Sequence, residues 1–300
     1  MPIPVKKLGL LPSPMDARDY RLHHITSVKR VFPAQYINPN LIPEPYDQGE
    51  SEACVAYSLK AVKEMQEYRE RGKFTAFSAA YIYGARAPND YQGEGMVPRQ
   101  ALKELRKRGD CRDELFPGIY PYPECARKIT PLMDQDAAPQ RIKTFAALQT
   151  VDEIKTALLE LGPVTIGIPV YDSFYHGGHL PKPDTGKETL HGYHMLTIIG
   201  WLKTNRWYVL NSWGSGWGEL KGYCTMPYDY PIHEMWSVTD LAAAHRPGYE
   251  IALNQSVRNG RWTASFTETF RTLADVQAHL IEPLRSDLAH SGKEIHIRKR

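Results

Sequence analysis

The stretch "DQGESEACVAYS", Asp47 to Ser58, places Cys54 behind a Gln-Gly turn and at the head of a run with helical spacing. Val55, Leu59, Val62 and Met65 recur at helical intervals with charges between them, until Gly72. That pattern predicts a helix of about five turns with one buried stripe, and Ser51 is placed to cap its start. A cysteine in the first turn of a helix sits at the positive end of the backbone dipole, which favours thiolate. A cysteine inside a core is a small, inert hydrophobe. Which of these Cys54 is depends on what the rest of the chain brings to it.

The chain has 300 residues, enough for one large domain or two lobes with sizeable cores. Eighteen tyrosines, six tryptophans and 23 prolines favour ordered loops and sheet surfaces over a helix bundle. A net charge of only +3 argues against nucleic acid as a principal partner. "LGLL" near the start is too short for the apolar centre of a signal peptide, and no run of about 20 apolar residues offers a membrane span. The cysteines, Cys54, Cys111, Cys125 and Cys224, show no C-x-x-C spacing and are too few for a disulfide scaffold. A Cys111–Cys125 bridge stays open. The cytoplasm is the default compartment, with export by a non-classical route not excluded. Nothing in the sequence specifies an oligomeric state.

Residues 1–30 are proline-rich and aperiodic, an extended arm that ends at Lys29-Arg30. "FSAAYIYG" reads as a short helix, and Val97, Ala101 and Leu105 make another that stops at Gly109. The first 125 or so residues are therefore mostly helix and loop. Beyond them the period changes. Thr150 and Glu153 form a capping box for a helix that ends at Gly162. "PVTIGIPV" alternates as a half-buried strand. "HMLTIIGW", "WYVLN", "GYCTMPY" and "MWSVTD" supply further strands, with "KTNR" as a turn, so a compact antiparallel sheet or barrel is expected. The Gly-, Pro- and His-rich segment after Val170 is a long functional loop. After residues 245–248 the character changes again. Asn259-Gly260 signals a hairpin, "TLADVQAHLIEPLRSDLAH" a helix broken near Pro283, and "KEIHIRKR" a last strand. The expected organisation is an arm (1–30), a main domain (31–245) and a ββαβ appendage (246–300). Within the main domain a helical lobe spans about 46–145, and a barrel-like lobe spans about 146–242 with the 31–45 segment.

A thiol nucleophile needs a base, a group that orients the base, and donors for the developing oxyanion. Gln48 precedes Cys54, His194 opens a strand, and Asn211 ends the next strand inside "NSWGSGWG". Two adjacent strands can set His194 and Asn211 side by side. His176, His179, His191 and His194 have spacings found in zinc sites, but no cysteine or carboxylate ligand stands convincingly with them, so no metal is expected.

"DQGESEACVAYS", "GYHMLTIIGW" and "NSWGSGWGELKGYCTMPYDY" resemble the three signature blocks of papain-like cysteine peptidases over roughly residues 30–242. "PMDARDYRL" resembles a segment that precedes the enzyme in bacterial members. The resemblance implies an α+β, two-lobe fold and a Cys-His-Asn triad that hydrolyses peptide bonds through an acyl-enzyme thioester, with no cofactor and with protein or peptide as substrate. Cys54 is then the nucleophile, His194 its ion-pair partner and proton donor, and Asn211 the residue that orients His194. Gln48 and the Cys54 N–H form the oxyanion hole, and Trp213 shields the His–Asn bond. Gly95 and Met96 stand where a substrate-binding glycine pair is usual, and Tyr193 where many relatives carry Asp. Ser51-Glu52-Ala53 and Val55 depart from the usual Cys-Gly-Ser and Trp around the nucleophile, and Glu52 brings a carboxylate near the thiol. The proline-rich, aperiodic character of the arm and the dibasic Lys29-Arg30 near the expected mature start make it a candidate propeptide. Two alternatives share the fold: a catalytically inactive binding module, and an acyltransferase using the same triad.

Overall fold

The computed structural model describes residues 7–239 apart from Arg18, Arg30 and Pro43, and beyond them only five short strands. The chain divides into two compact units, Met1–Asp240 and Leu241–Arg300. In the first unit, helices α1 (Cys54–Arg71), α2 (Ala79–Gly84), α3 (Pro98–Arg108), α4 (Tyr122–Lys128) and α5 (Pro131–Ala137) come before most of the sheet. Strand β1 (Tyr36–Ile37) precedes them. The remaining elements are β2 (Thr144–Ala147), α6 (Val151–Glu160), β3 (Val164–Tyr171), β4 (Gly178–His179), β5 (Leu190–Leu202), β6 (Arg206–Leu210), β7 (Tyr223–Pro227) and β8 (Glu234–Thr239).

The sheet runs β2-β8-β3-β5-β6-β7-β4, with β1 added to β5. Its pairings are antiparallel except β4 with β7. Thr150 and Glu153 form the expected capping box of α6, and Gly109 stops α3 by donating its N–H to Leu105 O. Helices α4 and α5 escape the periodicity reading because each is only two turns long. Both carry proline in their first turn, where a missing N–H costs nothing.

Two expectations are corrected, and one open question is closed. Ser51 does not cap α1: Ala53 precedes the helix, no side chain caps it, and the Ser51 hydroxyl donates instead to Gln48 O at 2.7 Å. The first N–H groups of α1 are thus left to the site ahead of them. Strand β3 is not half-buried but buried along nearly its whole length, because α1 covers its second face. All four cysteines are free and buried, so no Cys111–Cys125 bridge forms.

Ser58, one turn along α1 from Cys54, ties this helix to the sheet. Its hydroxyl lies 2.6 Å from Thr165 Oγ1 and 2.8 Å from Thr197 Oγ1, and it reaches Leu196 O at 2.9 Å. A hydroxyl cluster this buried holds the helix in one register on β3 and β5, since any slip leaves polar groups unpaired. One apolar core gathers α1, α2 and α3; another gathers the β3, β5, β6 and β7 faces with Leu22 from the arm.

In the second unit, β10 (Val257–Arg258) pairs with β11 (Arg261–Trp262) across Asn259-Gly260, as the hairpin signal implies. A separate three-stranded antiparallel sheet sets β9 (Tyr249–Ala252) between β12 (Thr267–Phe270) and β13 (His296–Lys299). These strands exceed the expected ββαβ count. The helix expected around Pro283 lies outside the described residues.

Candidate active site

Cys54 is the first residue of α1, and His194 and Asn211 come from β5 and the end of β6. The antiparallel pairing of β5 with β6, Thr197 opposite Leu210, carries His194 to Asn211. His194 Nε2 lies 2.7 Å from Asn211 Oδ1, which also accepts the Ser212 N–H at 2.8 Å. With Asn211 oxygen as acceptor, the imidazole proton sits on Nε2 and the lone pair on Nδ1. His194 Nδ1 has no hydrogen-bond partner among the described residues. The Cys54 sulfur accepts a hydrogen bond from the backbone of Met195, the residue after His194. The fold thus brings the thiol against the strand that bears the imidazole.

Trp213 packs on the His194 ring with centroids 4.8 Å apart, and Phe174 meets both rings edge-on. Tyr175 also stacks on Trp213, with centroids 5.6 Å apart. The His–Asn bond is therefore kept from water, which strengthens it. The Asp47–Trp213 bridge, with Gln48 N–H donating to Ser212 O at 2.8 Å, closes the Gln48 turn onto the Asn211 loop. Gly214 permits this approach: its φ is +74°, and a Cβ there would meet the Asp47 carboxylate at 2.9 Å. Ser212 Oγ donates to Gln48 Oε1 at 2.7 Å, which fixes the amide with its NH₂ group toward the cleft.

Both members of the pair are fully buried. Burial pushes the Cys54 thiol up to about 12, against the smaller pull of the Met195, Val55 and Cys54 backbone N–H groups. Burial also pushes His194 down to about 4, with Asn211 opposing. Burial thus disfavours the charged form of each group. Desolvation outweighs every group that favours charge. Glu52 is half-buried and is the smallest of the influences on the thiol.

Met96 and Tyr193 make backbone contacts with the N-terminal segment. Met96 N–H donates to Gly9 O at 2.8 Å and Met96 O accepts from Leu11 at 3.0 Å, while Tyr193 O accepts from Leu10 at 3.3 Å. Gly95, at φ +82°, turns this rim, and a Cβ there would press on Gly9 O at 2.8 Å. Of the other zinc-spaced histidines, His191 bonds Asp172 at 2.7 Å and meets the Tyr175 ring edge-on, and His179 lies 2.9 Å from Thr225 Oγ1. Among the described residues no three His, Cys, Asp or Glu side chains converge as metal ligands, and no helix is long and apolar enough to cross a membrane. Sequence reasoning missed Ser212, Phe174 and the Met195 N–H. Ser212 was legible in principle, since it stands between Asn211 and Trp213.

Solved structures share this architecture. A cysteine protease of Xylella fastidiosa, xylellain, superposes with a TM-score of 0.69 at 21% identity, over 79% of this chain and 97% of its own. Procathepsin L 3 from the midgut of Tenebrio molitor larvae gives 0.58 at 22% identity, over 71% and 72%. The fold is the papain-like α+β fold of two lobes. The family model for papain family cysteine proteases matches residues 36–239, and the chain belongs to that family. Among curated relatives, a cathepsin B-like cysteine proteinase 2 from Haemonchus contortus is 35% identical over 121 residues, 38% of this chain and 33% of the relative. Mouse cathepsin R is 27% identical over 199 residues, 62% of this chain and 57% of the relative. The matched stretches thus span a third to a little over half of these relatives' length.

Proposed function

We propose that this protein hydrolyses peptide bonds in protein or peptide substrates, with Cys54, His194 and Asn211 as the catalytic triad. The observation that carries the reading is the His194–Asn211 hydrogen bond, which leaves Nδ1 unpartnered on a strand that also bonds the Cys54 sulfur. His194 Nδ1 takes the thiol proton as Cys54 Sγ attacks the scissile carbonyl carbon. The oxyanion is met by the uncapped Cys54 N–H and by Gln48 Nε2, which must first give up its contact with Lys7 O at 3.2 Å. The imidazolium gives its proton to the leaving amine, and the C–N bond breaks to leave a thioester. His194 then draws a proton from water, which attacks the thioester and restores the thiol as the acid product leaves. Asn211 holds the ring plane throughout, and Trp213 keeps bulk water from the His–Asn bond. Within the family we read the chain as a bacterial-type member, on the "PMDARDYRL" segment.

Profiling on a peptide library with a Cys54→Ala control tests the reading. Hydrolysis lost in the control, with one labelled thiol per chain after treatment with a thiol-directed epoxide, is the expected result. Labelling no faster than free cysteine together with no cleavage would leave a binding module. Transfer of the acyl group to added amine in preference to water would make it an acyltransferase.

A further inference from the structure

The loop from Ala87 to Gly95 is exposed over much of its length and becomes buried at Gly95 and Met96. Met96 then bonds an extended stretch of chain with both of its backbone groups, in a parallel bridge centred on Leu10. Leu10 N–H is on the carbonyl of Tyr193, the residue before His194. An extended peptide that runs past His194 along the same line meets the same two groups of Met96. What fixes Met96 therefore fixes how such a peptide lies.

The loop holds no cysteine, and a buried cation fastens it. Arg86, just after α2, is 9% exposed. Its Nε donates to Tyr83 O at 3.0 Å, and its Nη1 donates to Tyr91 O at 2.8 Å and to Gly93 O at 2.9 Å. The guanidinium carbon lies 3.7 Å from the Tyr122 ring centroid and 4.8 Å from that of Tyr83. These two rings meet edge to face, 6.2 Å apart. Gly84 lets α4 come close enough to bring Tyr122 there, since a Cβ on Gly84 would meet the Cys125 backbone at 2.7 Å. A guanidinium buried this far is costly unless its hydrogens are bonded, so the three carbonyls are held to it. Tyr83 carries the hold on to the rim. Its hydroxyl accepts the Gly95 N–H at 2.9 Å and donates to Glu94 Oε2 at 2.8 Å, while Glu94 Oε1 accepts the Tyr122 N–H at 2.8 Å. The Tyr91 N–H ties the loop to Gln100 of α3 at 3.3 Å.

We propose that Arg86, acting with Tyr83 and Glu94, is a positioning residue for substrate: this staple holds Gly95 and Met96 in place to pair with the backbone of an extended peptide. The proposal rests on the peptidase reading for the identity of that peptide, but not for the network. Arg86 touches no reacting atom. Its loss weakens the grip on a peptide long enough to reach Met96 and leaves Cys54, His194 and Asn211 as they are. A substrate too short to reach Met96 does not sense it. Because the grip is the same before and during the reaction, it acts on KM and not on kcat.

The test uses the full chain with Arg86→Met, Arg86→Lys and, separately, Tyr83→Phe. The last removes one oxygen and keeps both rings on the guanidinium, so it decides the matter even where Arg86→Met does not fold. Two fluorogenic amides are compared, an acetylated single residue and an acetylated tetrapeptide that ends in the same residue. The ratio of their KM values is read, since anything that acts on both alike cancels in it. Losing a hydrogen bond to a charged group shifts an equilibrium by roughly tenfold or more, so Arg86→Met is expected to raise this ratio about tenfold. Its kcat on the tetrapeptide stays within about twofold of the parent. Hydrogen-exchange protection at Gly95 and Met96 is expected to fall. Arg86→Lys keeps the charge without the planar fork and lies between Arg86→Met and the parent. Tyr83→Phe shows the same split to a smaller degree. Equal losses on both amides, or exchange at Gly95 and Met96 equal to the parent in all variants, would overturn the staple. Lost protection with no hydrolysis of either amide by any chain would uphold the staple's hold on the rim and overturn the peptidase reading instead.

Discussion

His194 gives its Nε2 proton to Asn211 across 2.7 Å and holds its other ring nitrogen without a partner. That arrangement sets both the tautomer and the direction of proton flow. A ring free to rotate would spend part of its time with the wrong nitrogen toward the thiol.

Replacing Asn211 by Ala therefore removes a positioning contact rather than a reacting group. We expect kcat to fall by about 10²-fold with KM nearly unchanged. Steady-state kinetics on a peptide amide checks this. A change confined to KM would remove Asn211 from the mechanism.

Gln48 and Ser212 differ in rank. Gln48→Ala deletes an oxyanion donor, and the expected loss in kcat is on the order of 10²-fold or more. Ser212→Ala only frees the far end of the same amide, so a loss of about tenfold is expected. If the two are measured side by side and the serine variant is the worse, the amide is not the donor.

Ser58 anchors the helix that starts at Cys54. Ser58→Val leaves the buried Thr165 and Thr197 hydroxyls with only 3.4 Å contacts to the Leu196 and residue-58 carbonyls, at about 1–3 kcal/mol of stability. Urea unfolding gives that figure. The rate of peptide hydrolysis should drop as well, because the thiol depends on this register; an unchanged rate would free the thiol's placement from the hydroxyl cluster.

Burial holds His194 at about 4, below its ordinary 6.5. As pH falls from about 6.5 toward 4, the unfolded chain takes up this proton first, so stability is present above the window and is lost through it. The loss reaches up to about 3 kcal/mol. Urea titrations at pH 7 and 4.5 should show the parent losing more than His194→Gln. Equal losses would place the acid sensitivity elsewhere.

Much of the architecture is legible in residue order. The α1 stripe, the α3 stop at Gly109, the Thr150–Glu153 box and the hairpin pairing of β10 with β11 each carry a local physical reason that survives folding. The two-sided burial of β3 is not legible, because Thr165 reads as a solvent-facing residue until Ser58 arrives from a helix 107 positions away. The acid–base state of the site is likewise hidden. The family resemblance implies a charged Cys54–His194 pair, whereas burial in the fold works against charge on either group.

Side-chain type and period dictated which segments become helix or strand, and which residues are chemically able to act together, since those preferences operate over a few neighbouring residues. Folding alone decided that Lys7, Gly9, Leu10 and Leu11 lie in the cleft. Their contacts there are mostly main-chain hydrogen bonds, which every residue type except proline can donate and which leave no mark on the order of the side chains.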